Sequence, residues 1–163
     1  MMKNALLVSC LVCAVLCSSA QTYFLSAGLR AGTELGLTVQ QKLWKQGTLE
    51  SIITTNRDRW QLQGLVEYHR KFIGRRFNYY LGLGPHIGQE RGVASIYYGF
   101  TPITGVEVTL AGITFSWDYK PSINLGGTDA FVFHDSGLSI RMVLVKERKK
   151  SLRERFGLEK KKN

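Results

Sequence analysis

The stretch ITFSWDYKPSINL, Ile113 to Leu125, keeps a strict period of two over thirteen residues. Ile113, Phe115, Trp117, Tyr119, Pro121, Ile123 and Leu125 are apolar or aromatic, and Thr114, Ser116, Asp118, Lys120, Ser122 and Asn124 are polar. Successive side chains of an extended strand point to opposite faces, so this segment has one wholly apolar and one wholly polar side. A sheet built from such strands is defined by which side meets which solvent. An apolar side turned to a core makes a water-soluble sheet; turned to lipid, it makes a membrane barrel.

Before the final basic segment no stretch reads as a convincing amphipathic helix; the chain reads as short β segments punctuated by Gly, Asn, Asp and Arg. Tyr23–Ala31 is followed by Leu35–Trp44, a turn at Lys45-Gln46-Gly47, Leu49–Asn56, a turn at Arg57-Asp58-Arg59, and Trp60–Arg70. After a turn around Ile73–Arg76 come Phe77–Gly88, a loop at Gln89–Ala94, and Tyr97–Leu110 with a bend at Pro102. Ala111-Gly112 leads into the opening stretch, and beyond a loop containing Gly126-Gly127-Thr128 the last strand is read as Gly137–Val145. The total is eight, the strand number of the smallest closed membrane barrels, whose spans need about 9–11 residues.

The ends bound the compartment. Lys3, the apolar run Ala5–Cys17 and the small residues Ser18-Ser19-Ala20 predict a signal peptide over residues 1–20, cleaved after Ala20. The run is shorter than the roughly 20 residues a spanning helix needs. Leu7-Val8-Ser9-Cys10 looks like a lipoprotein box, but cutting there would leave half of the apolar run on the mature chain. Cys10, Cys13 and Cys17 all lie in the signal, so the mature chain offers no disulfide, thiol catalyst or cysteine metal site.

The formal charge of +10 suggests nucleic acid at first sight. Much of it sits in the tail, residues 146–163, where nine Lys and Arg face three Glu. An exported protein rarely meets DNA, so no nucleic-acid partner is expected. Anionic lipid or cell-wall polymer is the better class.

The polar faces assign the sides. Bulk water favours Lys and Glu, whereas these faces are mostly Gly, Ser, Thr, Asn and Gln with isolated charges of both signs. Such residues suit a crowded lumen, where Arg30, Lys42, Glu50, Glu67, His69, Glu107, Asp118, Lys120 and Arg141 form a polar network and neutralise one another. Tyr23, Trp60, Tyr68, Tyr79 and Tyr119 are expected near strand ends as interfacial girdles. Pro85 and Pro121 fall inside strands and are read as a bulge or the rim. Adjacent Ile52 and Ile53 blur the third strand and would turn Ser51 to lipid.

On EYHRKF, NYYLGLGPHIG, TGVEVTLAGITFSWDYKPSINL and SGLSIRMVLV the chain resembles the small outer-membrane β-barrel proteins of Gram-negative bacteria, of the OmpA/OmpX-like type. The resemblance implies an eight-stranded antiparallel up-and-down transmembrane barrel over residues 21–145, followed by a basic periplasmic tail. It implies an outer-membrane location and, as partners, outer-membrane lipids, lipopolysaccharide and the barrel-assembly machinery. Asp135, Gly137, Ile140 and Met142 are similar to the family's assembly signal in the last strand, although the family ends near an aromatic there and this chain continues. Through its tail the protein could touch peptidoglycan or the anionic inner leaflet. A monomer without cofactor is expected.

Chemistry is sparse. His134-Asp135-Ser136, read as a loop near the outer rim, is the only nucleophile-like constellation, and neighbours on an extended chain do not ordinarily converge. Glu67 and His69 could suit a proton relay or half a metal site, but no second ligand pair is evident; they and His86 read as members of the polar network. Arg57, Arg59 and Arg91 in outer loops could pair with lipopolysaccharide phosphates. The leading expectation is a non-enzymatic barrel with a plugged lumen and a structural or surface-interaction role. A secreted lipocalin-like ligand binder, an outer-leaflet lipid-modifying enzyme and a narrow pore are the alternatives.

Overall fold

Strands of eight or more residues with one polar and one apolar side cannot bury both sides in water or in lipid, and closing the sheet on itself separates them. A computed structural model describes residues 23–72, 77–128 and 131–146, with Tyr23 and Lys146 as backbone alone. The expected signal peptide over residues 1–20, the expected turn around Ile73–Arg76, residues 147–163 of the expected basic tail and the side chain of Tyr23 lie outside the described residues.

Eight strands follow in order: β1 (Tyr23–Gly32), β2 (Leu35–Lys42), β3 (Gly47–Thr55), β4 (Arg59–Lys71), β5 (Phe77–Glu90), β6 (Ile96–Leu110), β7 (Ile113–Gly126) and β8 (Val132–Lys146). Each is antiparallel to its sequence neighbours, and β8 closes on β1. The sheet therefore has no open edge, and backbone donors and acceptors find partners within the barrel.

The pairing can be followed once round. Thr114 lies opposite Arg141, then come Gly28, Thr38, Ile52, Gln63, His86 and Gly99, and the path returns to β7 at Asn124. The ten-residue offset from 114 to 124 is the stagger of the barrel. Closure with such a stagger tilts the strands by about 35–45° to the axis.

The chain enters and leaves at one end, which also holds the connections β2–β3, β4–β5 and β6–β7. The β6–β7 turn has two residues, both with positive φ, Ala111 (50°) and Gly112 (89°). That is the type I′ geometry whose twist matches a hairpin. The opposite end carries β1–β2, β3–β4, β5–β6 and β7–β8, all short.

Several boundaries and placements differ from the sequence expectation. β8 begins at Val132, so His134, Asp135 and Ser136 are strand residues and not a loop. Leu43 and Trp44 leave β2 and fold over Gly47, the first residue of β3, with Leu43 N–H donating to the Gly47 carbonyl at 3.0 Å. β6 runs unbroken through Pro102, and its register shift falls at Tyr98/Gly99. Pro85 and Pro121 mark neither rim nor bulge. They sit within their strands, and the β4–β5 pairing passes from Gln63↔His86 to Val66↔Leu83 in constant register, lapsing opposite Pro85. Tyr119 lies in the middle of β7 rather than at an end.

The third strand becomes intelligible. Ile52 points inward and is buried with Leu65, Tyr80 and Ile103, while Ser51 and Ile53 point outward. Apart from these and Tyr97, the buried side chains among the described residues are polar or charged. Outside, the large apolar side chains are exposed on every strand, as with Leu29 (67%), Leu81 (57%) and Leu138 (60%).

Candidate functional site

The inward positions of the dyad pattern bring charges from six strands into one column. Arg30 (β1) is fully enclosed and sits 2.7 Å from Asp118 (β7) and 3.1 Å from Asp135 (β8). Lys120 (β7) shares Asp135 at 3.1 Å and donates to Gln63 Oε1 at 2.7 Å. The Tyr80 hydroxyl donates to Asp118 at 3.1 Å. Two carboxylates and two cations are thereby closed into one group in the loop-side half of the lumen.

Towards the terminus end a second group gathers around Arg141. Its guanidinium donates to Glu50 and, at 2.8 Å, to Ser116 Oγ, with Glu107 at 3.8 Å. Thr38 donates to the same Glu50 oxygen. His69 stands between two carboxylates, 3.1 Å from Glu67 and 3.3 Å from Glu107, and stacks on Tyr80 with centroids 5.0 Å apart. Gln40 and Thr48 donate to Glu67 at 2.7 and 3.0 Å. Lys42, half-buried, lies on the inward side near the end of β2.

A neutral chain continues to the loop end. Gln61 donates to Ser122 Oγ at 3.0 Å, Ser122 meets Thr101 at 3.0 Å, and His86 bridges Thr101 (2.8 Å) and Asn124 (2.9 Å). Above it Arg59 closes the barrel. It pairs with Glu34 of the β1–β2 turn at 2.7 Å and lies 3.8 Å over the Phe133 ring, which in turn packs edge-on against Tyr97. Asn56 accepts from the N–H groups of Asp58 and Arg59, both at 2.8 Å, and holds this turn in place. Arg59 is therefore an anchored strand residue and not a loop arginine, whereas Arg57 and Arg91 are exposed in loops.

Buried ions are tolerated only when paired and hydrogen-bonded, because desolvation costs several kcal/mol per ion. The lumen meets that condition with long side chains lying across it, Arg30, Lys120 and Arg141 all being fully enclosed. An eight-stranded barrel is just wide enough to be filled in this way.

Sequence reading missed several members. Asp135 belongs between Arg30 and Lys120, and the signal was present: Asp135, Gly137, Ser139 and Arg141 share one side of the period that continues back from the last strand. Tyr80, Gln40, Gln63 and Glu34 were not singled out for such contacts. Gly137 also faces the lumen, whereas Ile140 and Met142 face outward.

The alternation also splits the nucleophile-like triplet. Asp135 points inward, and His134 and Ser136 point outward, His134 pairing with the Tyr119 hydroxyl at 2.6 Å. No carboxylate contact is observed at His134 among the described residues. Among these residues no group of three or more His, Cys, Asp or Glu is arranged to hold a metal ion. Comparison with protein-family models and with curated proteins returns no match.

Proposed function

We propose that this is a small outer-membrane β-barrel of the OmpX-like kind, non-enzymatic, with a structural or surface-interaction role and a lumen filled rather than open. The observation that carries it is the inverted polarity of the closed barrel, with polar and charged side chains inside and exposed apolar ones outside on all eight strands. Monomeric soluble proteins rarely expose contiguous apolar patches beyond a few hundred Å². Seven of the eight strands have 9 to 15 residues, long enough to span the hydrocarbon layer, and β2, with 8, falls one residue short of that range.

The charge network speaks against a wide water path, because its cations lie across the lumen and are held by carboxylates on other strands. The role as a partner of lipopolysaccharide and of the assembly machinery belongs to the same proposal, as does the periplasmic position of the terminus end. The short outer loops favour a compact surface over a large ligand-binding crown.

Fractionation of cells expressing the full chain, with gel electrophoresis of the detergent-extracted outer membrane before and after boiling, tests it. A folded barrel is recovered there and shifts in mobility on heating. Recovery as a soluble protein would replace the reading with that of a lipocalin-like barrel and start a search for an apolar ligand.

A further inference from the structure

We propose that the terminus end of the barrel is a docking rim for anionic glycerophospholipid, with Lys45, Arg70 and Lys71 taking the phosphates. The inference rests on the membrane-barrel reading and adds to it a leaflet-specific lipid partner.

The two ends differ in how they treat charge. At the loop end, cations and anions are intermixed: Arg59 is bound to Glu34, Asp58 follows Arg57, and Glu90 precedes Arg91. At the terminus end Lys45, Arg70 and Lys71 are all exposed, and the turns there that are described contain no Asp or Glu. Among the described residues the acids nearest this end, Glu67 and Glu107, are buried in the lumen and occupied by His69. Lys45, Arg70 and, at the end of β4, Lys71 are thus exposed without competing carboxylates among the described residues of their rim.

The cations also stand at a defined depth. Trp44, Tyr68 and Phe72 are exposed at this end, and Arg70 lies over the Tyr68 ring at 5.7 Å. The Tyr68 hydroxyl donates to Gln46 of the neighbouring turn at 2.7 Å, and Phe72 packs edge-on against Tyr79. Aromatic rings of this kind sit at the level of lipid headgroups, where Lys and Arg extend past them to the phosphates. A guanidinium and two ammonium groups give several charge-assisted contacts to a phosphodiester. A zwitterionic headgroup presents a compensating ammonium and gains less.

The test uses the full chain with Trp60→Phe and Trp117→Phe, which leaves Trp44 as the reporter at the rim. It is reconstituted in phosphatidylcholine vesicles containing a fixed fraction of chain-brominated phosphatidylglycerol or chain-brominated phosphatidylcholine, and quenching of Trp44 gives their relative affinities. The expected preference for phosphatidylglycerol is about fivefold or more, and it falls to near unity in Lys45→Gln/Arg70→Gln/Lys71→Gln. Equal quenching by both lipids overturns the inference, as does a preference that survives the triple substitution and so belongs to the tail. Displacement of the brominated lipid by lipid A more strongly than by phosphatidylglycerol would overturn the assignment to glycerophospholipid. The heat-dependent gel shift of the same samples separates the two levels: its absence removes the barrel reading together with the rim, and its presence confines any failure to the rim.

Discussion

Arg30 on β1 and Asp118 on β7 meet at 2.7 Å although β8 lies between their strands. The bridge passes over Gly137, which pairs with Gly32 on one side and Asp118 on the other. A Cβ at Gly137 would stand 2.9 Å from the central guanidinium carbon of Arg30. The missing side chain on one strand makes room for an ion pair between its two neighbours.

Removing one member of that pair strands the other in the lumen. Arg30→Met is expected to cost about 3–5 kcal/mol, as for other buried pairs broken on one side. Adding Asp118→Asn to it should cost less than the sum of the single changes, with a coupling of about 0.5–3 kcal/mol. Urea midpoints of the refolded protein in detergent measure both. A midpoint for Arg30→Met equal to that of the parent would mean that the pair contributes nothing to holding β1, β7 and β8 together.

The same geometry separates two roles for Gly137. In Gly137→Val the branched side chain displaces the Arg30 guanidinium, and a loss of about 1–3 kcal/mol is expected in purified, refolded protein. If the glycine mattered only as part of the last-strand assembly signal, the purified variant would keep the parent midpoint and fail only in cells. Comparing the refolding midpoint with the amount recovered in the outer-membrane fraction decides between them.

Much of the barrel was legible because a period of two needs no partner to be seen. Where one face stays polar and the other apolar, as from Ile113 to Leu125, the strand can be written down from the residues alone. The failures occur where the faces stop differing. Val132 and Phe133 are adjacent and large, and His134 and Ser136 put polar groups outside, so the start of β8 looks like a loop. Ile52 puts an apolar side chain inside and blurs β3. The long-range pairs were not legible at all. Arg30 reaches Asp118 only because of the stagger of the strands, and the choice among carboxylates depends on that stagger rather than on sequence distance.

Ala111 occupies a left-handed conformation (φ 50°) in the β6–β7 turn, which costs a Cβ-bearing residue about 1–2 kcal/mol. Asn tolerates that region and Asn-Gly is the preferred pair for this turn. Ala111→Asn is therefore expected to stabilise the hairpin by about 0.5–1 kcal/mol, read as a higher urea midpoint. Ala111→Val should move the midpoint the other way, because a β-branched side chain crowds the same backbone. Unchanged midpoints in both would show that the turn relaxes without reference to the residue.

The polarity of the exterior has a consequence that does not depend on finding a partner. Leu83 is 55% exposed in the middle of β5, on the face that also carries Leu81 and Ile87. In water, an arginine there would be solvated as easily as any surface arginine. Facing hydrocarbon, it loses its hydration, and Leu83→Arg is expected to cost about 2–4 kcal/mol of folded stability in lipid vesicles. Val93→Arg, in the exposed β5–β6 loop, is the matched control and should stay within about 0.5 kcal/mol of the parent. Refolding both into phosphatidylcholine vesicles and following the heat-dependent gel shift against urea gives the two values. If Leu83→Arg tracks Val93→Arg, the apolar face meets water, and the barrel's inverted polarity must be covered by something other than a bilayer.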